Sequence, residues 1–564
     1  MRQRVPCRAM TVADSLRRAA RGLMAPRQLR KVARDRFGYP DLRPGQLEAM
    51  RAVLSGRDAF VVMPTGGGKS AVYQIPGALL PGPVIVVSPL LALQQDQMAG
   101  LTERDPSLGP VRISSAESAT ERREALEALR EGTAKFLFVT PEQLADPERL
   151  KEIKATKPVL VAVDEAHCIS AWGHDFRPDY LQLGRVVREL GRPPVVALTA
   201  TASPPVREDI IDRLGLTDPY LSVFGLDRPE LFLEAVQCTT DEQRWQRLLM
   251  RLKESTPPGI VYAATRRSTE ELAERLTKEG FGAIAYHGGM SAGERERRHE
   301  AFLADEAPIM VATTAFGMGI DKPNIRWVNH VTLPDSPDSY LQEIGRAGRD
   351  GEPAQALLLF RTEDTGLRKF FSGGGLDEEE VLKLATVVSL APHPVSAAQL
   401  RTETGFGPRK TAQMVSLLEQ VGAVVHRSGG KLAAPRYAPS PEEAAREACA
   451  QAERFQTVQR SRIDMMRYLA ETTNCRGQAL LAYFGEHLEH RCGHCDNCAD
   501  GSVEAIAPTS AEPYPVHSTV RHAEWGDGMV LQYEGERMTV LFDDVGYKTL
   551  SVPVVVEQGL LSDV

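Results

Sequence analysis

The stretch Asp164-Glu165-Ala166-His167, directly after the apolar run Val159–Val163, decides the fold class of this 564-residue chain. An uninterrupted apolar run of this length is typical of a strand buried on both faces of a parallel sheet. Paired carboxylates at the end of such a strand can serve phosphoryl transfer. Asp164 can hold Mg²⁺, directly or through water, and Glu165 can orient and deprotonate the attacking water.

A glycine-rich loop, Thr65-Gly66-Gly67-Gly68-Lys69-Ser70, lies upstream and follows the apolar run Ala59–Met63. Successive glycines let backbone N–H groups approach phosphate oxygens closely. Lys69 can reach the β- and γ-phosphates, and the Ser70 hydroxyl can bind Mg²⁺. Met63 stands where the strict G-x-x-x-x-G-K-[ST] pattern has its first glycine. Together, the loop and the carboxylate pair predict hydrolysis of a nucleoside triphosphate.

Length and composition indicate a soluble protein of three or more domains. A chain of 564 residues is too long for one core, and 42% hydrophobic with 25% charged residues is ordinary for globular proteins. No apolar run approaches a membrane span, and the Arg-rich segment Met1–Arg30 lacks the apolar region of a secretory signal. We therefore expect a cytoplasmic protein with no membrane partner.

The net charge of −8 neither supports nor excludes a nucleic-acid partner. Residues 501–564 contain three Lys/Arg and ten Asp/Glu, so a charge of −7 lies in the C-terminal tail. The remainder of the chain is close to neutral and can present local basic surfaces to phosphate.

Two series of short apolar runs, separated by helical patterns, predict two parallel sheets. The first series is Ala59–Met63, Val84–Ser88, Phe136–Val139, Val159–Val163 and Val195–Thr199. The second series is Gly259–Tyr262, Ala283–Tyr286, Ile309–Ala312, Trp327–His330 and Ala356–Leu359, and the glycine run Ser372–Gly375 should end it. Only the first series carries a glycine loop and a carboxylate pair. We therefore expect two α/β lobes that share one nucleotide site.

The C-terminal part of the chain has a different pattern. Three helical patterns and a short hairpin suggest a winged-helix module, and a small helical domain without a binding role is the alternative. These segments are Glu378–Leu390, Ala397–Thr402, Arg409–Val421, Ala423–His426 and Lys431–Ala433. A long helical stretch, Pro441–Leu469, follows. The tail has apolar runs at Met529–Gln532, Met538–Phe542 and Thr549–Val556 with turns at Gly526–Gly528 and Glu534–Glu536, which predicts a small β-barrel.

Four of the eight cysteines have the spacing of a metal site. Cys475, Cys492, Cys495 and Cys498 form C-x₁₆-C-x₂-C-x₂-C, and four thiolates suit tetrahedral Zn²⁺ in a structural site. An iron–sulfur cluster is the alternative, because C-x₂-C-x₂-C also occurs in ferredoxins. A nearby histidine, His490 or His494, could replace one ligand.

From Phe37 to about Phe371 the chain resembles the RecQ family of superfamily 2 DNA helicases. The stretch Ala171-Trp172-Gly173-His174-Asp175-Phe176-Arg177-Pro178 is the most specific part of this resemblance. The other matching segments are Phe37-Gly38-Tyr39 with Arg43 and Gln46, Met63–Ser70, Val87–Leu90, Asp164–Cys168, Ala197–Ala202, Ala315–Asn324 and Gln342–Gly351.

The resemblance implies roles for residues of the nucleotide site. Tyr39 and Arg43 would sandwich the adenine, since a ring and a planar guanidinium suit a flat base, and Gln46 would read its polar edge. The alternative for Tyr39 is ordinary packing.

The second lobe would contribute three further residues to ATP hydrolysis. Arg346 and Arg349 would act as arginine fingers on the transferring phosphoryl group, and Gln342 would sense the γ-phosphate. Surface salt bridges are the alternative role of the two arginines.

The aromatic stretch after the carboxylates is the candidate DNA contact. Trp172, His174, Phe176 and Arg177 lie in a loop-like composition, and exposed aromatic side chains stack on bases. Their position next to Glu165 and His167 offers bound DNA a way to switch on hydrolysis. His167 is a further candidate catalytic residue. Packing in the core is the alternative for the aromatic residues.

The resemblance extends to the zinc site but not to the order of the C-terminal modules. RecQ proteins carry a zinc site of this form beside a helical hairpin, and Tyr483-Phe484-Gly485-Glu486 matches that module. In typical members the winged helix follows the zinc module, whereas here its candidate precedes it. The segment Trp525–Val530 resembles the small barrel that ends some UvrD-type helicases. Within the acidic tail, whose β pattern is regular, Trp525 and Tyr533 are candidate exposed anchors for a protein partner, with packing against the zinc module as the alternative.

The combined prediction is an α/β protein with two RecA-like parallel-sheet lobes, a winged-helix module, a helical zinc-binding module and a small C-terminal β-barrel. The expected domains are a basic tail 1–25, the lobes 26–226 and 227–376, the winged helix 377–438, the zinc module 439–500, a linker 501–512 and the barrel 513–564.

The resemblance implies an ATP-dependent DNA helicase that moves 3′→5′ on single-stranded DNA and unwinds duplex DNA in repair or recombination. Its cofactors would be ATP, Mg²⁺ and Zn²⁺. A DNA-stimulated translocase that barely unwinds and an RNA helicase remain alternatives. A non-enzymatic scaffold is a third, and the intact Lys69, Asp164, Glu165, Arg346 and Arg349 argue against it.

Overall fold

The computed structural model describes residues 26–564 apart from 65, 171–175, 318–321, 367–375, 428–429, 487, 502–511, 517 and 543–544. The predicted basic tail, the glycine run Ser372–Gly375 and most of the predicted linker therefore lie outside the described residues. The chain divides into two compact units. The first holds the described residues up to Ser170 with 177–200 and 207–226, and the second holds Phe176, 201–206 and all that follows Leu226.

A seven-stranded parallel sheet forms the centre of the first unit. Its strands are β1 Ala59–Val62, β2 Val84–Val87, β3 Val111–Ile113, β4 Phe136–Val139, β5 Leu160–Val163, β6 Val195–Thr199 and β7 Tyr220–Val223. Their order is β3-β4-β2-β5-β6-β1-β7. Because the strands are parallel and only β6 separates β1 from β5, the glycine loop and the carboxylates leave the same edge of the sheet, two strands apart.

Helix α1, Pro26–Phe37, buries an apolar stripe and exposes a charged face. In α1, Leu29, Ala33 and Phe37 recur at intervals of four and are buried, while Arg30, Lys31 and Arg34 between them are exposed. The helices that accompany this sheet are α1 Pro26–Phe37, α2 Gln46–Ser55, α3 Ala71–Leu79, α4 Leu91–Arg104, α5 Ala119–Glu131, α6 Pro141–Ala145, α7 Pro147–Ala155, α8 Leu183–Glu189 and α9 Pro204–Leu214.

The second unit contains a six-stranded parallel sheet with the order β10-β11-β9-β12-β13-β8. Its strands are β8 Leu231–Gln237, β9 Gly259–Tyr262, β10 Ala283–Tyr286, β11 Ile309–Ala312, β12 Trp327–His330 and β13 Ala354–Phe360. The accompanying helices are α10 Asp241–Glu254, α11 Arg266–Lys278, α12 Ala292–Leu303 and α13 Pro337–Ile344. The prediction of two parallel-sheet lobes is confirmed.

A small helical module follows the second sheet. Its helices are α14 Glu378–Leu390, α15 Ala397–Thr404 and α16 Pro408–Gln420, and its hairpin is β14 Val425–Arg427 with β15 Lys431–Ala433. An isolated antiparallel bridge pairs Val395, in the segment before α15, with Leu432 of the hairpin. The winged-helix assignment of this module stays a prediction. Ala444, Ala445 and Ala448 also belong to this module's core, so the next helix completes it.

That helix, α17 Pro441–Glu471, is 31 residues long and continues from the helical module into the zinc module. It begins with a capping box formed by Ser440 and Glu443. Two short helices follow, α18 Arg476–Tyr483 and α19 Asp496–Ala499. Across the described residues, no helix combines the length and apolarity that a membrane crossing requires.

The tail folds as a five-stranded antiparallel sheet with the order β19-β18-β17-β16-β20. The strands are β16 Thr519–His522, β17 Gly526–Glu534, β18 Arg537–Phe542, β19 Gly546–Ser551 and β20 Leu561–Asp563, and α20 Val552–Gln558 connects the last two. The predicted strand Thr549–Val556 is wrong beyond Ser551, because Val552–Gln558 is helical. The predicted turn Gly526–Gly528 is also wrong, because β17 begins there.

The two aromatic residues proposed as exposed anchors are packed against this sheet's core instead. Trp525 stacks on His522 at a ring-centroid distance of 4.1 Å and meets Phe542 edge-on. Tyr533 donates its hydroxyl to the carbonyl of Tyr514. Both side chains are half-buried, so the expectation that they are exposed anchors is wrong.

Candidate functional site

The glycine loop between β1 and α3 is shaped for close approach by a ligand. Gly66 and Gly68 have φ values of 77° and 78°, a left-handed conformation that glycine adopts without strain. A Cβ on Gly67 would lie 2.7 Å from the carbonyl oxygen of Pro64. The amino group of Lys69 donates to the carbonyl of Met63 at 3.1 Å, so its side chain lies along the loop. Thr65 lies outside the described residues.

Ser70 is the N-cap of α3, and its side chain makes no capping hydrogen bond. The hydroxyl is thus placed at the positive end of a nine-residue helix, together with the backbone N–H groups of the first turn. The loop, Lys69 and this helix end fit the triphosphate that the sequence predicts.

Gln46 connects α2 to the glycine loop. Its amide nitrogen donates to the carbonyls of Gly67 at 3.1 Å and Gly68 at 2.9 Å, and its amide oxygen accepts from the backbone N–H of Arg43 at 2.8 Å. The side chain is buried. Gln46 therefore holds the glycine loop in place, and its role in reading an adenine edge stays a prediction.

Tyr39 and Arg43, the predicted adenine sandwich, lie in the turn between α1 and α2. Tyr39 is half-buried, and Arg43 is exposed. Arg104, at the end of α4, donates to the hydroxyl of Tyr39 at 3.0 Å and lies over its ring. Burial raises the pKa of Tyr39, and the Arg104 charge partly offsets this. Sequence reasoning missed Arg104, since nothing in the sequence of α4 marks it.

Asp164 sits directly after β5 with both carboxylate oxygens oriented. Oδ1 accepts from the backbone N–H of Glu165 at 3.0 Å, and Oδ2 accepts from the amide of Gln97 at 2.7 Å. The side chain is only 5% exposed. A buried, oriented carboxylate is the hard oxygen ligand that Mg²⁺ prefers. Gln97, on α4, is a second residue that sequence reasoning missed.

Glu165 is in the left-handed region with φ 48°, which is uncommon for a residue other than glycine. Such backbone strain clusters at functional sites. Its Oε2 lies 3.3 Å from Nδ1 of His167. The same Nδ1 is 2.9 Å from the hydroxyl of Thr199, which ends β6, and His167 is fully buried. His167 therefore links the candidate water-activating residue to the neighbouring strand.

Of the predicted DNA contacts, Trp172 and His174 lie outside the described residues. Phe176 is half-buried. Arg177 is half-buried as well, its backbone N–H donates to the carbonyl of Cys168, and its guanidinium donates to the carbonyl of Pro89 at 3.3 Å. These bonds attach the end of the aromatic stretch to the first sheet.

In the second unit, α13 and the turns after it carry Gln342, Arg346 and Arg349. Arg346 is 3% exposed, and its Nε has no hydrogen-bond partner among the described residues. Burial raises the pKa of the neighbouring Tyr262 to about 12, and the Arg346 charge opposes that rise. Gln342 and Arg349 are half-buried. A buried guanidinium with an unsatisfied N–H suits a group that acts on a phosphate.

The backbone of these turns is held by Arg228. Its guanidinium donates to the carbonyls of Gly345, Ala347 and Gly348 at 3.4, 2.9 and 3.2 Å. Three carbonyls on one guanidinium fix the loop that separates Arg346 from Arg349. Sequence reasoning missed this residue because the contact depends on tertiary folding.

The four predicted metal ligands come together in the second unit. The sulfur atoms of Cys475, Cys492, Cys495 and Cys498 all lie within 4.8 Å of one another, and the Cys492 and Cys498 sulfurs are 4.0 Å apart. A tetrahedral Zn²⁺ with ordinary Zn–S bonds requires about 3.8 Å between sulfurs. The donor set and its spacing therefore fit zinc.

The surroundings of the cysteines support a closed metal site. The backbone N–H of Cys492 donates to the sulfur of Cys475 at 3.2 Å. A Cβ on Gly477 would lie 2.6 Å from Cβ of Cys492, so only glycine fits there. His490 is exposed, and His494 contacts the Cys492 carbonyl and Asp227 instead of joining the sulfurs. The four cysteines are sufficient without either histidine.

The zinc segment pairs with the edge of the second sheet. The backbone N–H of Leu233 donates to the carbonyl of His494 at 2.9 Å, and that of Ala235 donates to Oδ2 of Asp496. Leu233 also forms a parallel bridge with Cys495. The edge strand β8 is therefore covered by the metal-binding module.

Comparisons with known proteins agree with the two sheets and the cysteine site. Residues 43–210 match the DEAD/DEAH box helicase family, 242–351 the helicase conserved C-terminal domain, and 442–499 the RecQ zinc-binding family. The chain belongs to the RecQ family of ATP-dependent DNA helicases.

Three curated RecQ-type relatives show how far the similarity extends. The probable ATP-dependent DNA helicase RecS of Bacillus subtilis is 34% identical, over 82% of this chain and 90% of the relative. The ATP-dependent DNA helicase RecQ of Bacillus subtilis is 41% identical over 61% of this chain, which spans 58% of that relative. The ATP-dependent DNA helicase RecQ of Synechocystis is 35% identical, over 85% of this chain and all of the relative.

Proposed function

We propose that this RecQ-family helicase moves 3′→5′ along single-stranded DNA and unwinds duplex DNA, in DNA repair or recombination. The observation that carries the proposal is the assembly of Lys69, Asp164, Glu165 and His167 at one edge of the first sheet. These residue types, at the ends of β1 and β5 on the same edge of the sheet, are those of a nucleoside triphosphate hydrolase.

The glycine loop, Lys69 and Ser70 would bind the triphosphate, with Tyr39 and Arg43 on its base. Asp164 and Ser70 would hold Mg²⁺, which when bound neutralises charge on the phosphate oxygens. Glu165 would orient and deprotonate the attacking water.

Gln342, Arg346 and Arg349 would respond to the γ-phosphate. The buried Nε of Arg346 supports this assignment, because it offers an N–H donor that described protein groups do not use. An arginine that stabilises the transferring phosphoryl group contributes on the order of 10³-fold or more to turnover.

The residues that would contact single-stranded DNA are Trp172, His174, Phe176 and Arg177. DNA bound there would stimulate ATP hydrolysis at the neighbouring carboxylates. The backbone bond between Arg177 and Cys168 supports this route, because Cys168 follows His167 in the chain. The domain boundaries given above remain proposals, as does a protein partner for the C-terminal sheet.

DNA-stimulated ATP hydrolysis tests the proposal, with wild type, Glu165→Gln and Arg346→Ala compared at saturating single-stranded DNA. Both variants should bind nucleotide and lose turnover, by about 100-fold or more. An ATP turnover near that of the wild type in Glu165→Gln would contradict the assignment of Glu165 as the water-activating group. Stimulation by RNA but not by DNA would favour the RNA helicase alternative.

A further inference from the structure

A buried polar cluster joins the C-terminal sheet to the helix that precedes the candidate arginine fingers. We call it the Asp338 junction, and it consists of Asp338 on α13, Arg462 on α17, Tyr483 on α18 and Tyr547 on β19. Arg462 donates to Oδ2 of Asp338 at 2.7 Å, and the hydroxyl of Tyr483 donates to the same oxygen at 2.6 Å. All four side chains are buried.

Tyr547 is the residue that the C-terminal sheet contributes to this junction. Its ring stacks on that of Tyr483 with centroids 5.0 Å apart and planes 22° apart. The neighbouring Gly546 has φ 71°, and a Cβ there would lie 2.9 Å from Cβ of Ser461 on α17. β19 therefore lies directly against α17.

The charges of the junction depend on one another. Burial by itself opposes the charge on Arg462, but Asp338 outweighs it and raises the pKa of the guanidinium. Burial and then Asp338 raise the pKa of Tyr483 well above its ordinary value, so its hydroxyl stays a donor. Arg462 also donates to the hydroxyl of Ser336, the N-cap of α13.

The junction fixes the start of a helix whose later residues bear on ATP hydrolysis. Asp338 is in the first turn of α13, Gln342 lies one turn further on the same face, and Arg346 follows Gly345, the C-cap of the helix. A shift of α13 would carry Gln342 and Arg346 with it. Displacing a catalytic group by about 1 Å can cost about 100-fold in rate.

We propose that Tyr547 is a positioning residue for ATP hydrolysis. It holds the Tyr483 ring so that Tyr483 and Arg462 together fix Asp338, α13 and hence Gln342 and Arg346. The C-terminal sheet is then a part of the ATPase machinery and not an appended docking module. This inference rests on the proposed roles of Gln342 and Arg346.

The experiment compares full-length Tyr547→Ala, Tyr547→Phe and Thr549→Ala, the last an exposed position on the same strand. It measures kcat and KM for ATP with single-stranded DNA, and counts active protein by binding of a fluorescent ATP analogue and by bound zinc. Tyr547→Ala should lower kcat per nucleotide-binding site about tenfold with KM within about twofold. Tyr547→Phe keeps the stacked ring and should stay within about twofold of wild type in kcat, as should Thr549→Ala.

Wild-type kcat per binding site in folded, zinc-loaded Tyr547→Ala would overturn the inference. If Tyr547→Ala does not fold, Tyr483→Phe decides, because it removes only the hydroxyl that donates to Asp338. It should lower kcat severalfold, and unchanged kcat would again overturn the inference. Arg346→Ala distinguishes failure of this inference from failure of the arginine-finger assignment on which it rests. Loss of turnover there with normal Tyr547→Ala refutes only the inference, whereas normal turnover in Arg346→Ala refutes the arginine-finger assignment itself.

Discussion

Arg462 and Asp338 form an ion pair that is almost completely removed from solvent. Their closest nitrogen and oxygen are 2.7 Å apart, and each side chain is 2% exposed. The pair joins α17, which spans two modules, to α13 in the second lobe. The C-terminal modules of this RecQ-family chain are therefore attached to the second lobe by a buried ion pair. Removal of either partner would leave the other charge buried and unpaired.

Arg462→Met should destabilise the second unit by about 3–5 kcal/mol, because it leaves the Asp338 carboxylate buried without its partner. Arg467→Met on the same helix is the matched control, since Arg467 pairs with Glu471 at the surface. The control should cost about 0.5 kcal/mol or less. Urea unfolding followed by tryptophan fluorescence measures both, and equal effects would contradict the structural account.

Lys69→Ala and Glu165→Gln should both abolish ATP turnover, but for different reasons. Lys69 would hold phosphate, so its loss should weaken nucleotide binding, whereas Glu165→Gln should still bind ATP and DNA. Nucleotide titration by fluorescence anisotropy beside a turnover assay distinguishes them. Weak ATP binding by Glu165→Gln would indicate that Glu165 binds the nucleotide and does not activate the water.

One Zn²⁺ per chain should be found by elemental analysis, and Cys495→Ser should lose it together with solubility, because metal binding contributes local folding energy. Gly477→Ala should also lower the zinc content, since its Cβ would collide with Cys492. Cys449→Ser, at a half-buried cysteine outside the cluster, should keep full zinc. Bound iron together with light absorption at about 400 nm would instead favour the iron–sulfur alternative.

Trp172→Ala should separate ATP hydrolysis from DNA. Basal turnover should persist, while stimulation by single-stranded DNA should fall severalfold, in line with a loss of about 1–3 kcal/mol of stacking on a base. Turnover measured across a DNA titration tests this. Unchanged stimulation in a less stable protein would make Trp172 a core residue.

The sequence predicts the inner strands of both sheets closely, because strands buried on both faces are continuous apolar runs. Three strands of these two parallel sheets were not predicted: β3, β7 and β8, all at the ends of a sheet. Edge strands are half-exposed and therefore mix polar with apolar residues, as in the Leu-Phe-Leu-Glu-Ala-Val-Gln of β8. Their place depends on neighbours that are distant in the chain.

In the candidate site, too, residues that belong to a local motif can be predicted from the sequence, whereas residues placed by tertiary contacts cannot. Loop chemistry and spacing in the sequence are enough to predict motif residues such as Lys69 and Asp164. Gln97, Arg104 and Arg228 act through contacts made only in the folded chain, so no local pattern marks them. Trp525 has the composition of an exposed anchor, but its ring stacks on His522 within the turn between β16 and β17 and meets Phe542 of β18 edge-on. The contact with Phe542 forms only when the sheet assembles.

Unwinding of matched duplexes is the most direct test of the central claim that this chain is a 3′→5′ DNA helicase. DNA duplexes with a 3′ tail, a 5′ tail or no tail, and a 3′-tailed RNA duplex, are compared under identical ATP and salt conditions, with Glu165→Gln as the inactive control. We predict strand separation of the 3′-tailed DNA by the wild type alone. Separation of the 5′-tailed DNA or of the RNA duplex in its place, or of no duplex despite DNA-stimulated ATP hydrolysis, would contradict the account.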